Sequence, residues 1–184
     1  MILNETLKDI DCKSVEIEIF GLGYVGFPLA VRLAAGGFNV KGIDVNQERI
    51  NRLKKNDLNE SELNLKDEFI HVKKENLIKF FEKPEKSENS KIAFICVHTP
   101  IATEGVESDT YVKNAIDSFL QTSKKGDMII IESSIGGGTT EKMQKVIENF
   151  GYSVGNDFGL CFCPERIDPQ NKKWNLENIP RIIY

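Results

Sequence analysis

The sequence predicts an α/β domain, a doubly wound and mostly parallel sheet with helices on both faces. Three observations predict it. Short apolar runs alternate with stretches of helical spacing along most of the chain. Two of the runs, 92–97 and 128–132, are apolar almost without interruption, the mark of strands buried on both faces. The first run ends at Gly21-Leu22-Gly23-Tyr24-Val25-Gly26, a G-x-G-x-x-G pattern that leads directly into a helical stretch.

Taken in order, 15–20 reads as a strand in which Ile17 and Ile19 alternate with Glu16 and Glu18. Residues 25–35 read as an Ala- and Leu-rich helix closed by Gly36-Gly37. Residues 39–44 form the next short strand, and 47–55 resume helical spacing through Ile50 and Leu53. The polar stretch 56–91 reads as an insertion. Phe69, Val72, Leu77, Phe80 and Phe81 place one or two amphipathic helices in it, and 84–90 is a loop. Beyond the strand at 92–97, a helix is expected over 111–123, a strand over 128–132, a helix over 139–150 and a last strand over 158–163. Residues 1–14 are expected to be an N-terminal extension, and the whole chain one domain.

The 184 residues suffice for one substantial core. A composition of 40% hydrophobic and 28% charged residues is that of a globular chain. The net charge of −4 argues against a nucleic-acid partner, which favours a basic surface. No run approaches a membrane span, and residues 1–14 lack the apolar core of a secretory signal, so a cytoplasmic protein without a membrane partner is expected. Cys12, Cys96, Cys161 and Cys163 form no Cys-x-x-Cys pair, and with His71 and His98 they give no zinc spacing; reduced, buried thiols and no metal are expected.

Five stretches carry chemistry. In the glycine pattern, Gly21 permits the tight turn, Gly23 leaves room for a pyrophosphate, and Gly26 lets helix and strand pack closely. The helix that follows offers free amides and the positive end of its dipole to phosphate. This is the fingerprint of a Rossmann-type dinucleotide site. Asp44 closes the second strand about 20 residues on, where a carboxylate accepts hydrogen bonds from the ribose and repels a ribose phosphate, favouring NAD over NADP. Cys96-Val97-His98-Thr99-Pro100 follows a buried strand and could line the cofactor crevice; His98 could be a site residue, but a lone loop histidine is more often a solvent-facing or structural group. In 132–140, Ser133 and Ser134 could bind cofactor or order a water, Thr139 or Thr140 could simply cap the next helix, and Gly136-Gly137-Gly138 resembles an anion-binding nest. Finally, Cys163-Pro164-Glu165-Arg166-Ile167-Asp168-Pro169 follows the last strand. There Arg166 could latch either acid, or Glu165 could act as a base toward water.

Together these stretches resemble the UDP-glucose/GDP-mannose dehydrogenase family. The matching pieces are 21–30, Asp44-Val45-Asn46, Val97-His98-Thr99-Pro100, 109–112, Glu132-Ser133-Ser134 and 163–169, in the family's order; Asn178-Ile179-Pro180-Arg181-Ile182-Ile183 resembles the strand that ends its first domain. The resemblance implies NAD-dependent oxidation of the C6 alcohol of a nucleotide sugar, a UDP-sugar by preference, to a carboxylate in two hydride transfers through a cysteine thioester. It implies that Gly21, Gly23, Tyr24, Val25 and Gly26 hold the pyrophosphate, that Asp44 holds the ribose with Arg49 near the adenosine end, and that Val97, Thr99 and Ser134 line the crevice. It further implies that Ser134 stands near the catalytic water, where relatives usually carry threonine, and that Glu165 is the thioester-hydrolysis base. Arg166 and Asp168 fall in the substrate loop. The family's catalytic cysteine and lysine lie downstream of Tyr184, so this chain is expected to bind NAD without turnover, and the full-length protein to be a homodimer. A phosphogluconate-type hydroxyacid dehydrogenase domain and a stand-alone NAD-sensing module are the alternatives.

Overall fold

A computed structural model describes residues 3–100, 109–166 and 178–184. Helix α1 (Leu3–Asp11) precedes β1 (Glu16–Phe20), α2 (Gly26–Ala35), β2 (Asn39–Ile43) and α3 (Gln47–Lys54). A 3₁₀ segment (Glu60–Leu65), α4 (Lys66–Lys74) and β3 (Ile78–Phe81) follow, then β4 (Lys91–Ile95), α5 (Thr110–Leu120), β5 (Met128–Ile131), α6 (Thr139–Asn149) and β6 (Gly159–Phe162). The six strands form one sheet in the order β3-β2-β1-β4-β5-β6, every pairing parallel. That is the order of doubly wound dinucleotide-binding sheets, with the strand order reversing between β1 and β4.

Strand alternation divides the core into two faces. Ile17, Ile19 and Ile92 pack with Ala30 and Val31 of α2, Ile50 and Leu53 of α3, and Phe69 and Val72 of α4. Phe20, Ala93 and Ile95 pack with Val112, Ile116 and Phe119 of α5 and Met143 and Ile147 of α6. Phe27 and Phe69 meet edge to face at 5.2 Å and link α2 to α4. Complete burial of each ring stabilises by roughly 1.5–3 kcal/mol. Among the described residues no helix is long and apolar enough to cross a membrane.

The N-terminal extension is helical, and two expectations are corrected. The extension at 1–14 contains α1, whose Thr6 hydroxyl donates to the Gly126 carbonyl at 2.5 Å and docks the helix on the loop before β5. Phe80 and Phe81 belong to β3, which pairs with β2, and not to a helix. Asn76, at φ 59°, breaks the helical run two residues before that strand. Residues 178–184 form no strand, although Phe162 and Tyr184 exchange backbone hydrogen bonds at 3.0 and 2.9 Å, in the manner of an antiparallel pair, at the free edge of β6.

The opposite end of the sheet from the glycine turn holds buried charge. The expected alternation in β1 fails at Glu18, which is fully buried. It faces the equally buried Lys91 ammonium at 3.3 Å. Lys91 also donates to the Thr122 hydroxyl at 2.8 Å and to the Glu85 carbonyl at 3.3 Å, and lies 4.6 Å from the Phe119 ring centroid. Asp127 accepts the backbone N–H groups of Lys91 and Lys124, both at 2.8 Å. Burial raises the Glu18 pKa from 4.5 to about 7 against the pull of Lys91. Its Oε2 finds no donor among the described residues.

The native chain therefore holds a proton on Glu18 between pH 4.5 and about 7 that the unfolded chain has released. This group's contribution to stability is fully present below 4.5 and is lost as pH rises through 7. Lys91→Met, which strands the carboxylate, is expected to cost about 3–5 kcal/mol near pH 8 and clearly less near pH 5.5, where Glu18 takes up the proton. Urea denaturation at the two pH values measures it; equal losses would show that charge pairing is not what Lys91 contributes.

Candidate functional site

The site is built at the carboxyl ends of β1 and β4. The chain leaves β1 at Gly21, with φ +89°, and its N–H donates to the Ile43 carbonyl at 2.8 Å. A Cβ on Gly21 would lie 2.6 Å from the Cys96 carbonyl oxygen, and one on Gly26 would lie 1.9 Å from the Gly21 carbonyl oxygen. Neither position admits a side chain. A Cβ on Gly23 would meet nothing within 4 Å. The three glycines thus divide as expected, two against protein and one against open space. Helix α2 starts behind them with no side-chain cap and no acid in its first turn; the Phe27 N–H donates to the Gly23 carbonyl at 3.1 Å and Pro28 has no N–H, so what the helix offers the crevice is chiefly the positive end of its dipole.

Two cavities share Gly23, Cys96, Val97 and His98 as a common wall. The first, about 560 Å³, is bounded by Gly21, Asp44, Val45, Tyr111 and Ala115. The second, about 440 Å³, is bounded by Tyr24, Val25, Thr99, Glu132, Ser134 and Glu165. Both fall within the roughly 300–1,000 Å³ of small-molecule sites. They form one crevice across the switch point. Gly21, Gly23, Tyr24, Val25, Asp44, Val97, Thr99, Ser134 and Glu165 all border it, and Gly26 stands behind the turn. Arg166 follows Glu165 and is exposed, its backbone N–H donating to the Glu165 carboxylate at 2.6 Å. Asp168 lies outside the described residues.

The Asp44 carboxylate is fixed by two backbone N–H groups, from Leu22 at 2.7 Å to Oδ2 and from Asn46 at 2.8 Å to Oδ1. A carboxylate has about four acceptor sites, so capacity remains for ribose hydroxyls. Arg49 borders a third pocket with Asp44, where it donates to the Leu22 carbonyl at 2.9 Å and pairs with Glu62. His98 is exposed along the shared wall, as the loop reading anticipated.

The two serines separate. Ser133 is buried and donates to the Val97 carbonyl at 2.7 Å and the Ile95 carbonyl at 3.1 Å, which ties β5 to β4. Ser134 is exposed to the crevice. The residue before α6 is Gly138, at φ 83° with no side-chain cap, so neither Thr139 nor Thr140 caps that helix; Thr139 is buried in its first turn.

Two residues at the site escaped sequence reasoning: Glu62, beside Arg49, and Arg181. Arg181 reaches from the closing segment to Glu132 at 2.7 and 2.6 Å and to Glu165 at 2.6 Å. The carboxylates are 2% and 6% exposed, so the guanidinium joins two desolvated acids. Burial raises the Glu132 pKa, and Arg181 opposes that rise. The latch on Glu165 considered for Arg166 is thus made by Arg181. No local pattern marks it, because its partners lie on other elements of the sheet edge.

The cysteines are free, but only Cys163 is buried; Cys12 is exposed and Cys96 and Cys161 are half-buried. Burial, and then the charges of Glu132 and Glu165, push the Cys96 thiol well above the usual range. A thiol so held is a poor nucleophile although it faces the crevice.

The chain matches the NAD binding domain of the UDP-glucose/GDP-mannose dehydrogenase family over residues 15–184. It is 32% identical to the UDP-N-acetyl-D-mannosamine dehydrogenase of Pyrococcus horikoshii over 84% of its length and 37% of that protein's. It is 34% identical to the UDP-N-acetyl-D-glucosamine 6-dehydrogenase of Salmonella typhi, over 91% of its own length and 39% of the relative's. The UDP-N-acetyl-mannosamine dehydrogenase Cap5O of Staphylococcus aureus superposes with a TM-score of 0.78 at 34% identity, covering 84% of this chain and 37% of that one. The chain thus spans under two-fifths of the length of these relatives.

The glycine geometry separates binding from folding. Gly23→Ala is expected to leave circular dichroism and melting close to wild type while abolishing saturable NAD binding. Gly26→Ala is expected to lose the cooperative melt, because its Cβ would sit inside a backbone carbonyl. Normal NAD affinity in the Gly23→Ala variant would remove the pyrophosphate from this turn.

Proposed function

Because the chain belongs to the UDP-glucose/GDP-mannose dehydrogenase family, as its NAD-binding domain, we propose that it serves an enzyme that oxidises the C6 alcohol of a UDP-sugar to a carboxylate in two NAD-dependent steps. The observation that carries this reading is the crevice. One end has an open glycine turn at a helix N-terminus, and the other has Ser134 and the Glu132–Arg181–Glu165 cluster.

The residues present fit NAD. Gly23 presents a cradle that a Cβ would fill, and the positive end of the uncapped α2 dipole suits a pyrophosphate. NAD supplies the hydride acceptor when bound. Tyr24 and Val25 flank the phosphates, Asp44 accepts the adenosine ribose hydroxyls, and Arg49 stands at the adenosine end. Val97 and Thr99 line the path along the crevice toward Ser134. There the Ser134 hydroxyl holds a water, and the Glu165 carboxylate takes its proton as the water attacks a thioester carbonyl, releasing the acid and the thiol. Arg166 and Asp168 belong to the loop that meets the sugar nucleotide.

The nucleophilic cysteine belongs to the remaining length of the protein, and with it the homodimer contact. Cys96 is desolvated and beside two acids, which suits it to packing and not to attack. Its similarity to UDP-N-acetyl-hexosamine dehydrogenases supports that class of substrate for the whole protein.

Calorimetric titration of residues 1–184 is expected to show saturable NAD binding, weaker binding of NADP, and loss of NAD binding in Asp44→Ala. The same chain incubated with NAD and UDP-sugars is expected to produce no sustained NADH. Turnover by this chain would place a nucleophile within it and overturn the assignment of chemistry to the remaining length.

A further inference from the structure

We propose that Glu62 determines which dinucleotide this site accepts: by engaging the Arg49 guanidinium it withholds a cation from a ribose 2′-phosphate, so that the pocket beside Asp44 takes the free ribose of NAD and rejects NADP. The proposal rests on the reading of the crevice as the dinucleotide site and adds a residue to it.

The pocket is about 330 Å³ and is lined by Asp44, Asn46, Arg49, Asn59, Ser61 and Glu62, with the glycine turn as its floor. Arg49 is the cation among these residues, and a 2′-phosphate needs one. Three of its five N–H donors and one face of its guanidinium have partners among the described residues. Nε donates to the Leu22 carbonyl at 2.9 Å, and the two terminal nitrogens donate to the two Glu62 oxygens at 3.2 and 2.5 Å. The plane lies over the Phe27 ring, 5.0 Å from its centroid. The Arg49 and Glu62 side chains are 11% and 8% exposed.

Glu62 is itself held. It is the third residue of the 3₁₀ segment, where its Oε2 accepts the Asn59 backbone N–H at 2.9 Å in a capping box. The segment between α3 and α4, unreadable in the sequence, therefore carries a carboxylate to the ribose end of the crevice. With Asp44 tied to the glycine turn, two acids and one neutralised guanidinium leave the pocket with a negative balance. Ribose hydroxyls are donors and are accepted there; a phosphate dianion finds no unpaired cation.

Glu62→Gln tests this with little change of shape, since glutamine also serves in a capping box. The folded variant, checked by circular dichroism and melting, is titrated with NAD and with NADP. The expected result is a rise of about tenfold in NADP affinity relative to NAD, because the released guanidinium can make charge-assisted bonds to the phosphate. A second charge-removing change, Glu62→Met, is expected to act in the same direction. Adding Arg49→Met to either variant is expected to cancel the gain. An unchanged NADP/NAD ratio in the folded Glu62 variants, or a gain that survives loss of Arg49, would overturn the proposal while leaving NAD binding intact. A wild-type chain that binds neither dinucleotide would remove the cofactor reading itself, and this proposal with it.

Discussion

The close approach of three backbone segments at the β1–α2 turn is the constraint from which the rest of the site follows. The Gly21 carbonyl occupies the space of a Gly26 side chain, and the Cys96 carbonyl occupies that of Gly21. Strand, turn, helix and neighbouring strand can meet there only through glycine. Because they meet, α2 begins at the carboxyl edge of the sheet, between β1 and β4, where the strand order reverses. Asp44 can then reach the Leu22 N–H, and Arg49 the Leu22 carbonyl, so the second strand and third helix are tied to the same turn. A change at this point would displace the crevice wall, the ribose pocket and the helix dipole together.

The parts of the fold that follow from local physics were legible. The apolar runs of β4 and β5 and the strand–turn–helix at residues 16–35 could be read because their burial is continuous or their glycines are fixed in spacing. The failures have physical causes. Phe69 and Val72, like Leu77 and Phe80, are three residues apart on either side of a boundary, so helix and strand read as one pattern; the left-handed Asn76 marks the break. Glu18 looked like the polar face of a half-exposed strand because its partner, Lys91, is distant in sequence. In the site, the crevice residues were legible from the glycine pattern and the ends of buried strands. Glu62 and Arg181 were not, since each acts through a pairing that no local spacing records.

Charge is used differently at the two ends of the sheet. At the end away from the crevice, Glu18, Lys91 and Asp127 are buried together, Lys91 pairing with one Glu18 oxygen and Asp127 with backbone N–H groups. Such a cluster contributes little net stability but penalises arrangements that leave any member alone. At the crevice end the acids line space that a ligand can enter, and Asp44, Glu62, Glu132 and Glu165 are each held by a guanidinium or by backbone N–H groups. Arginine suits both pairings, because its planar fork meets a carboxylate, or two carboxylates, with fixed geometry and keeps its charge when desolvated.

The second of those arginines explains why the closing segment belongs to the site. Glu132 and Glu165 end different strands and point into the same desolvated corner, where burial and the neighbouring carboxylate raise the Glu132 pKa. Arg181 opposes that rise by placing one positive charge between both acids at 2.6–2.7 Å. It is held in place by the run to Tyr184, whose backbone pairs with Phe162 at the edge of β6. The order of that edge and the electrostatics of the corner are therefore one problem: loosening residues 178–184 would withdraw the guanidinium that bridges Glu132 and Glu165 and opposes the rise of the Glu132 pKa.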